Sequence, residues 1–186
     1  MNYPFILKFS ALSNLSDARY AAGFWADFIG FCFDPGSPDY IEPAKAKEIA
    51  AWVSGPMLTG EFTMQPPEWI RDFVTLLPLD AIQIPSNYPH PEIFETENVK
   101  FIIAVNDLQH AEHLQKADIF ITKDPEIYHH LKLHNDKPVI LETNDMKTDA
   151  SLLDGIAFTG GTEAKPGMRN QQEWTDFLEK WEGKGV

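Results

Sequence analysis

Polar and ionisable side chains recur in this sequence at the ends of short apolar runs. They are Ser10, Glu61, Gln83, Asn106, Lys123, Asp124, Glu142 and Thr159. Carboxylates and ammonium groups exchange protons, whereas hydroxyls and amides bind polar molecules through hydrogen bonds. If all the runs end at one edge of a sheet, these groups converge on a common site. Lys123 is then predicted to form an ion pair with Glu142 or Glu61, the alternative being a new catalytic lysine.

The apolar runs alternate with helix-type stretches along the whole chain, a pattern typical of a parallel sheet with crossover helices. Eight runs rich in Ile, Phe and Val cover residues 5–10, 28–33, 57–62, 80–84, 99–104, 117–122, 138–141 and 155–159. Eight strands close a barrel, so residues 1–186 are predicted to form one α/β domain, a (β/α)8 TIM barrel. The alternative, a doubly wound open sheet, needs a Gly-rich turn after the first strand, and residues 10–14 contain no glycine.

Helices are predicted between most of the strands. They cover residues 16–22, 43–53, 67–76, 107–115, 125–133 and 170–181, with weaker signals over 88–97 and 146–153. Because 186 residues is short for this fold, a helix in the second half is expected to be shortened or missing. Five tryptophans lie on helix-type stretches and are expected to be exposed: Trp25, Trp52, Trp69, Trp174 and Trp181. They either pack helices on the barrel or form a self-association surface, which would make the chain a homo-oligomer.

Composition excludes several classes of protein. A net charge of -13 without clustered Lys and Arg disfavours binding to nucleic acid or to an anionic membrane. No apolar run approaches the ~20 residues that span a bilayer, and no leader segment precedes the first strand, so a cytoplasmic location is expected. The single cysteine, Cys32, excludes an internal disulfide and is expected to be a buried packing residue. Two histidine pairs, His110 with His113 and His130 with His134, have spacings that suit one face of a helix. No acidic ligands are grouped with them, so neither a metal nor a cofactor is expected.

Five segments resemble one known family. Residues 8–18 read KFSALSNLSDA and are followed by DFIGF at 27–31 and SPDYI at 37–41. The fourth run reads LDAIQI at 79–84, and the eighth reads GIAFTGGTE at 155–163. In order along the chain, these segments are similar to KICGLTN, LGFVF, SPRYV, the fourth-strand DxVQL and the last strand with its phosphate loop in phosphoribosylanthranilate isomerase. The resemblance implies a TIM barrel and an isomerase, an intramolecular oxidoreductase of tryptophan biosynthesis.

The resemblance also implies where acid and base should stand. In this family a cysteine that ends strand one is the base, and an aspartate that ends strand six is the acid. Ser10 and Lys123 occupy these positions here, with Asp124 one residue further on. An arginine that binds the anthranilate carboxylate is replaced by Asp39, which repels anions.

The positions at which the resemblance implies ligand binding are Lys8, Asp39, Gln83, Glu142, Asn144, Thr159, Gly160, Gly161 and Thr162. Glu142 begins a loop that is Gly-rich in the family, so half of the phosphate site is changed. The glycines at 160 and 161 still permit close approach of an anion to backbone N–H groups. A small phosphorylated or polar metabolite is therefore the expected partner.

Three functions are compatible with these residues. Loss of both acid and base lowers a rate by about 10⁴–10⁸, which favours an isomerase-like protein without isomerase activity that binds a small metabolite. The second hypothesis is an active phosphoribosylanthranilate isomerase with Asp124 as acid and Ser10 or a water as base. The third is a non-catalytic scaffold that acts through protein contacts of its tryptophan-bearing helices.

Overall fold

Eight parallel strands form a closed barrel in the order β1 to β8. The computed structural model describes residues 3–145, 147–159, 163–165, 168–169 and 171–181. The barrel strands are β1 Ile6–Ser10, β2 Phe28–Cys32, β3 Met57–Glu61, β4 Ala81–Pro85, β5 Lys100–Ala104, β6 Ile119–Thr122, β7 Val139–Glu142 and β8 Gly155–Thr159. Each lies within or overlaps one of the eight predicted runs, so the predicted TIM barrel is confirmed. Beyond the barrel, β9 Glu163–Lys165 and β10 Met168–Arg169 pair as an antiparallel hairpin.

Five α-helices in the described part of the chain cover the outside of the barrel. They are α1 Leu15–Gly23, α2 Pro43–Ala50, α3 Pro67–Leu76, α4 Pro125–His134 and α5 Gln171–Glu179. Prolines begin three of them, because proline has no N–H to leave unpaired in a first turn. The side chain of Asn14 caps α1 by accepting the N–H of Asp17. Among the residues that the structure describes, no helix is long and apolar enough to cross a membrane.

Three crossovers lack a full α-helix, which confirms the expected shortening in the second half. Only 3-10 turns form there, at Pro91–Glu95, Leu114–Lys116 and Ala150–Leu152. The predicted helix over residues 107–115 is therefore wrong. The side chain of Asp107 accepts the N–H of Gln109, and His113 adopts a left-handed φ of 58°. Both features compete with the helical backbone, so the chain turns instead.

Apolar side chains form one core inside the barrel and another between barrel and helices. The inner core contains Phe28, Ala81, Ile102, Ile119, Ile121, Ile140 and Ala157. The outer core includes Trp174, which is 1% exposed and packs edge-on against Phe9. The expectation that Trp174 is exposed is thus wrong, because the indole lies on the buried face of α5. Trp25 and Trp52 are the strongly exposed members of the five, at 63% and 73%.

An aspartate stands directly before each even-numbered strand and binds the strand before it. Its carboxylate accepts a backbone N–H from that odd-numbered strand, in the pairs Asp27 with Leu7, Asp80 with Leu58, Asp118 with Phe101 and Asp154 with Val139. In the first three pairs the N–H of the aspartate also donates to the carbonyl of the same residue. These four aspartate clasps fix the register of neighbouring strands at the N-terminal end of the barrel.

Candidate functional site

The C-terminal ends of the strands surround a cavity of about 470 Å³. This cavity is the barrel mouth. Its lining consists of Ser10, Ala11, Cys32, Ser37, Asp39, Glu61, Phe62, Thr63, Gln83, Pro85, Ala104, Asn106, Ile121, Thr122, Lys123, Glu142 and Thr159. Of the polar residues predicted to converge, all except Asp124 lie in this lining. Since parallel strands of a barrel all end on one side, the position of each residue at a strand end places it there.

Lys8 lies beneath the mouth, where its side chain is fully buried. Its ammonium group donates a hydrogen bond of 2.5 Å to the Ser10 hydroxyl oxygen and a second, short one to Glu61. The other carboxylate oxygen of Glu61 accepts the N–H of Ala11 at 3.1 Å. Ser10 therefore has a cationic neighbour, Lys8, which a search of the sequence for a nearby histidine does not find. The sequence nevertheless indicates this contact, since residues two apart in a strand share a face.

Gly30 on β2 allows this contact to form. Glu61 lies on β3 and Lys8 on β1, so their side chains must meet across the intervening strand. A Cβ at Gly30 would lie 2.6 Å from the carboxyl carbon of Glu61 and 3.0 Å from the ammonium nitrogen of Lys8. Glycine thus leaves the space that the ion pair occupies.

A second group of polar side chains lies at the ends of β6, β7 and β8, with Thr159 beside Ser10 in the strand register. The ammonium of Lys123 lies 3.3 Å from a Glu142 carboxylate oxygen, which also accepts a short hydrogen bond from the Thr159 hydroxyl. The Lys123 side chain is 70% exposed, whereas that of Glu142 is 11% exposed. Asn144 lies outside the lining and donates to the Thr159 carbonyl at 2.6 Å. The lysine at the sixth strand therefore forms the ion pair that the sequence predicts.

Asp124 points away from the mouth. Its carboxylate caps α4 by accepting the N–H groups of Glu126 at 2.7 Å and Ile127 at 3.4 Å. It borders a shallow depression outside the barrel mouth. A carboxylate that satisfies two helix N–H groups is held in place by them, so it is poorly positioned to act as an acid inside the mouth.

Gln83 is a polar side chain of the mouth whose hydrogen bonding is incomplete. Its side-chain oxygen is buried and has no partner in the part of the chain that the structure describes. Gln83 pairs in register with Glu61, so the two side chains stand side by side on neighbouring strands. A buried amide oxygen without a donor costs free energy, and such groups in native proteins call for an explanation.

Cys32 and Asp39 line the mouth between β2 and β3. The sequence predicts Cys32 as a buried packing residue, but it is half-buried and forms part of the cavity wall. Burial raises the pKa of its thiol, and the carboxylates of Glu61 and Asp34 raise it further. The predicted anion-binding residues Gly160, Gly161 and Thr162 lie outside the described residues. Within the described ranges, no group of three or more His, Cys, Asp or Glu side chains could hold a metal ion.

The chain is similar in sequence to several curated proteins of one kind. No family model matches the chain. N-(5'-phosphoribosyl)anthranilate isomerase from Syntrophus aciditrophicus is 33% identical over 79 residues, 42% of this chain and 34% of that protein. The isomerase from Thermotoga maritima is 30% identical over 128 residues, 64% and 62% of the two chains, and that from Hahella chejuensis is 26% identical over 195 residues, 92% and 91%. The match thus spans less than two thirds of the first two relatives.

Solved structures agree in fold. The isomerase from Thermotoga maritima superposes with a TM-score of 0.77 at 22% identity, covering 96% of this chain and 99% of that one. The isomerase from Pyrococcus furiosus gives 0.76 at 17% identity, covering 98% and 100%. Monomers generated from the dimeric Thermotoga maritima enzyme give 0.75 at 22% identity, covering 96% and 99%. The chain is therefore similar in sequence to phosphoribosylanthranilate isomerases and shares their barrel fold.

Ser10 and Lys123 are the residues at the positions where the resemblance places base and acid. Ser10 ends β1 and Lys123 follows β6. Both face the mouth that the family fold provides. Asp39, at the position of the anthranilate-binding arginine, also lines it.

Proposed function

We propose that this chain is a phosphoribosylanthranilate isomerase homologue that does not catalyse the isomerisation and instead binds a small polar metabolite in the barrel mouth. The observation that carries the proposal is the contact between Lys8 and Ser10. A serine hydroxyl becomes a base only when a neighbouring group accepts its proton, whereas the buried ammonium group of Lys8 donates a hydrogen bond to the Ser10 oxygen. A serine in this setting is a hydrogen-bonding group for a ligand rather than a proton acceptor.

The acid position gives further support. Lys123 is paired with Glu142 at the rim, and its side chain is largely exposed rather than held inside the mouth. Asp124, the acid of the active-enzyme hypothesis, caps α4 instead. A positioned acid or base contributes roughly 10²–10⁴ in rate, so the absence of both lowers the rate by at least about 10⁴.

Freshly prepared phosphoribosylanthranilate tests the catalytic half of the proposal. Its fluorescence should decay in the presence of the purified protein no faster than in buffer, whereas the Thermotoga maritima isomerase under the same conditions consumes it. Growth of a tryptophan auxotroph that lacks its own isomerase, when it is supplied with this chain, would contradict the proposal.

We also propose that the chain forms a homo-oligomer through the N-terminal end of the barrel. A groove of about 710 Å³ lies there, lined by Phe5, Trp25, Pro56 and Met57 among others. Trp25 and Trp52 expose most of their indole surface, which water solvates poorly. The dimeric relative from Thermotoga maritima shows that a barrel of this family can pair.

Light scattering after size exclusion tests the oligomer. The wild-type chain should elute as a multiple of its 21.1 kDa mass, and Trp25→Ser or Trp52→Ser should shift it toward the monomer. Leu133→Ser is the matched control, because Leu133 is 81% exposed on α4, away from this groove. A wild-type monomer at high concentration would reject the proposal.

A further inference from the structure

The hydrogen-bonding groups of the barrel mouth define the chemistry of its ligand. We propose that the mouth recognises a small uncharged or cationic molecule with N–H donors along one edge and an apolar face, the class of aromatic amides and amidines. The inference rests on the proposed function, because it assumes that the mouth binds a ligand. It narrows the ligand to molecules that carry no negative charge.

The polar wall of the mouth is rich in acceptors. The buried Gln83 side-chain oxygen has no donor among the described residues. Beside it, each oxygen of Glu61 accepts one hydrogen bond and, as a carboxylate oxygen, retains a further lone pair. On the same wall, the Ser10 hydroxyl oxygen accepts a hydrogen bond from the Lys8 ammonium group. A ligand that supplies N–H donors along this wall satisfies the Gln83 oxygen, whereas a ligand with only acceptors leaves it unpaired.

The charge of the residues that line the mouth also favours a ligand without negative charge. Asp39, Glu61 and Glu142 contribute three carboxylates, and the side chains that offset them are Lys123 at the rim and Lys8 beneath the floor. Among the described residues, the mouth therefore carries one net negative charge. The net charge of -13 on the whole chain adds an attractive field for cations and a repulsive one for anions.

Apolar residues line the mouth next to the polar ones. Pro85, Ala104 and Ile121 lie on β4, β5 and β6 and line the cavity without a hydrogen-bonding side chain. A ring that lies against these residues removes apolar surface from water while its edge reaches Gln83 and Glu61. The volume of about 470 Å³ accommodates a single small ring with a substituent.

Benzamidine, benzamide and benzoate test the inference, because they share one ring and differ in charge and in N–H donors. Each is titrated to millimolar concentration into the full chain, with backbone amide shifts recorded by NMR. Benzamidine and benzamide should shift the amides of Ser10, Glu61 and Gln83, and benzoate should not. Gln83→Leu should weaken benzamidine about fivefold, the equivalent of one hydrogen bond. Gln115→Leu, the same change at an exposed site outside the mouth, should leave it unaltered.

The outcomes separate this inference from the proposed function. Benzoate binding at the mouth as tightly as benzamidine overturns the ligand class but leaves the mouth as a binding site. Absence of mouth shifts with all three probes overturns both. If Gln83→Leu does not fold, Glu142→Gln replaces it. That change removes a carboxylate from the rim and should weaken benzamidine relative to benzoate, and an unchanged ratio counts against the inference.

Discussion

Replacing Glu61 by glutamine should destabilise the barrel strongly, because it leaves the ammonium of Lys8 buried without a counterion. The Lys8 side chain is fully buried and that of Glu61 is 11% exposed, so water replaces the lost partner poorly. The new amide can still accept the N–H of Ala11, but its NH₂ group then faces the ammonium, donor against donor.

The expected size of the effect follows from burial. Removing one partner of a buried ion pair costs about 3–5 kcal/mol in the free energy of unfolding. For a domain of this size each kcal/mol lowers Tm by roughly 2–4 °C, so Glu61→Gln should lower Tm by about 6–20 °C. Lys132→Gln serves as the control. Its ion pair with Asp154 is much more exposed, with side chains 38% and 28% accessible, and should contribute less than about 1 kcal/mol.

A double variant separates the ion pair from packing. In Lys8→Met with Glu61→Leu, both charges are absent and the volume is retained. Urea denaturation should place this variant within about 2 kcal/mol of the wild-type chain, although each single substitution alone is costly. A loss below about 1 kcal/mol in Glu61→Gln would refute the claim that the pair is buried. A double variant as unstable as the sum of the single variants would refute the coupling between the two residues.

Two further predictions concern packing and pH. Gly30→Ala should cost about 1–3 kcal/mol in the wild-type chain, because the new methyl group displaces the Glu61 carboxylate, and much less in a Glu61→Ala background; equal losses in both backgrounds would contradict this contact. Burial raises the pKa of Tyr88 to about 12, and its hydroxyl donates to the Gln65 carbonyl. Because the pKa of Tyr88 is higher in the folded state, its contribution to the free energy of unfolding is fully present below the unfolded-state pKa near 10. That contribution is lost as the pH rises toward 12. Urea titrations at several alkaline pH values should therefore show the advantage of the wild-type chain over Tyr88→Phe shrinking from pH 10 to 12, and a constant difference would reject the assignment.

The strands of this barrel could be predicted from sequence because each is a short run of mainly apolar residues, most of them buried. The stretch from 107 to 115 shows the limit of that approach. Its composition suits a helix, yet the left-handed conformation of His113 and the side-chain bond of Asp107 end any helix there. Trp174 shows another limit, since the side of α5 that faces the barrel depends on how the helix docks, which composition does not specify.

Residues of the candidate site could be predicted only where their positions follow from the ends of the strands. Ser10, Lys123 and Glu142 could be placed at one rim because each ends or follows a barrel strand. The ion pair between Lys8 and Glu61 could not be predicted, since it depends on the register of three strands and on the absence of a side chain at Gly30. The unsatisfied oxygen of Gln83 likewise depends on distances that no sequence pattern encodes.

The four aspartate clasps lie at the end of the barrel opposite the mouth. Through its carboxylate, each joins an odd strand to the even strand that follows it, so the barrel consists of four two-stranded units. The residues that set strand register and the residues that line the mouth are therefore separated by the length of a strand. Substitutions at the mouth can accumulate without altering the fastenings, so the lining of the mouth can change while the architecture persists.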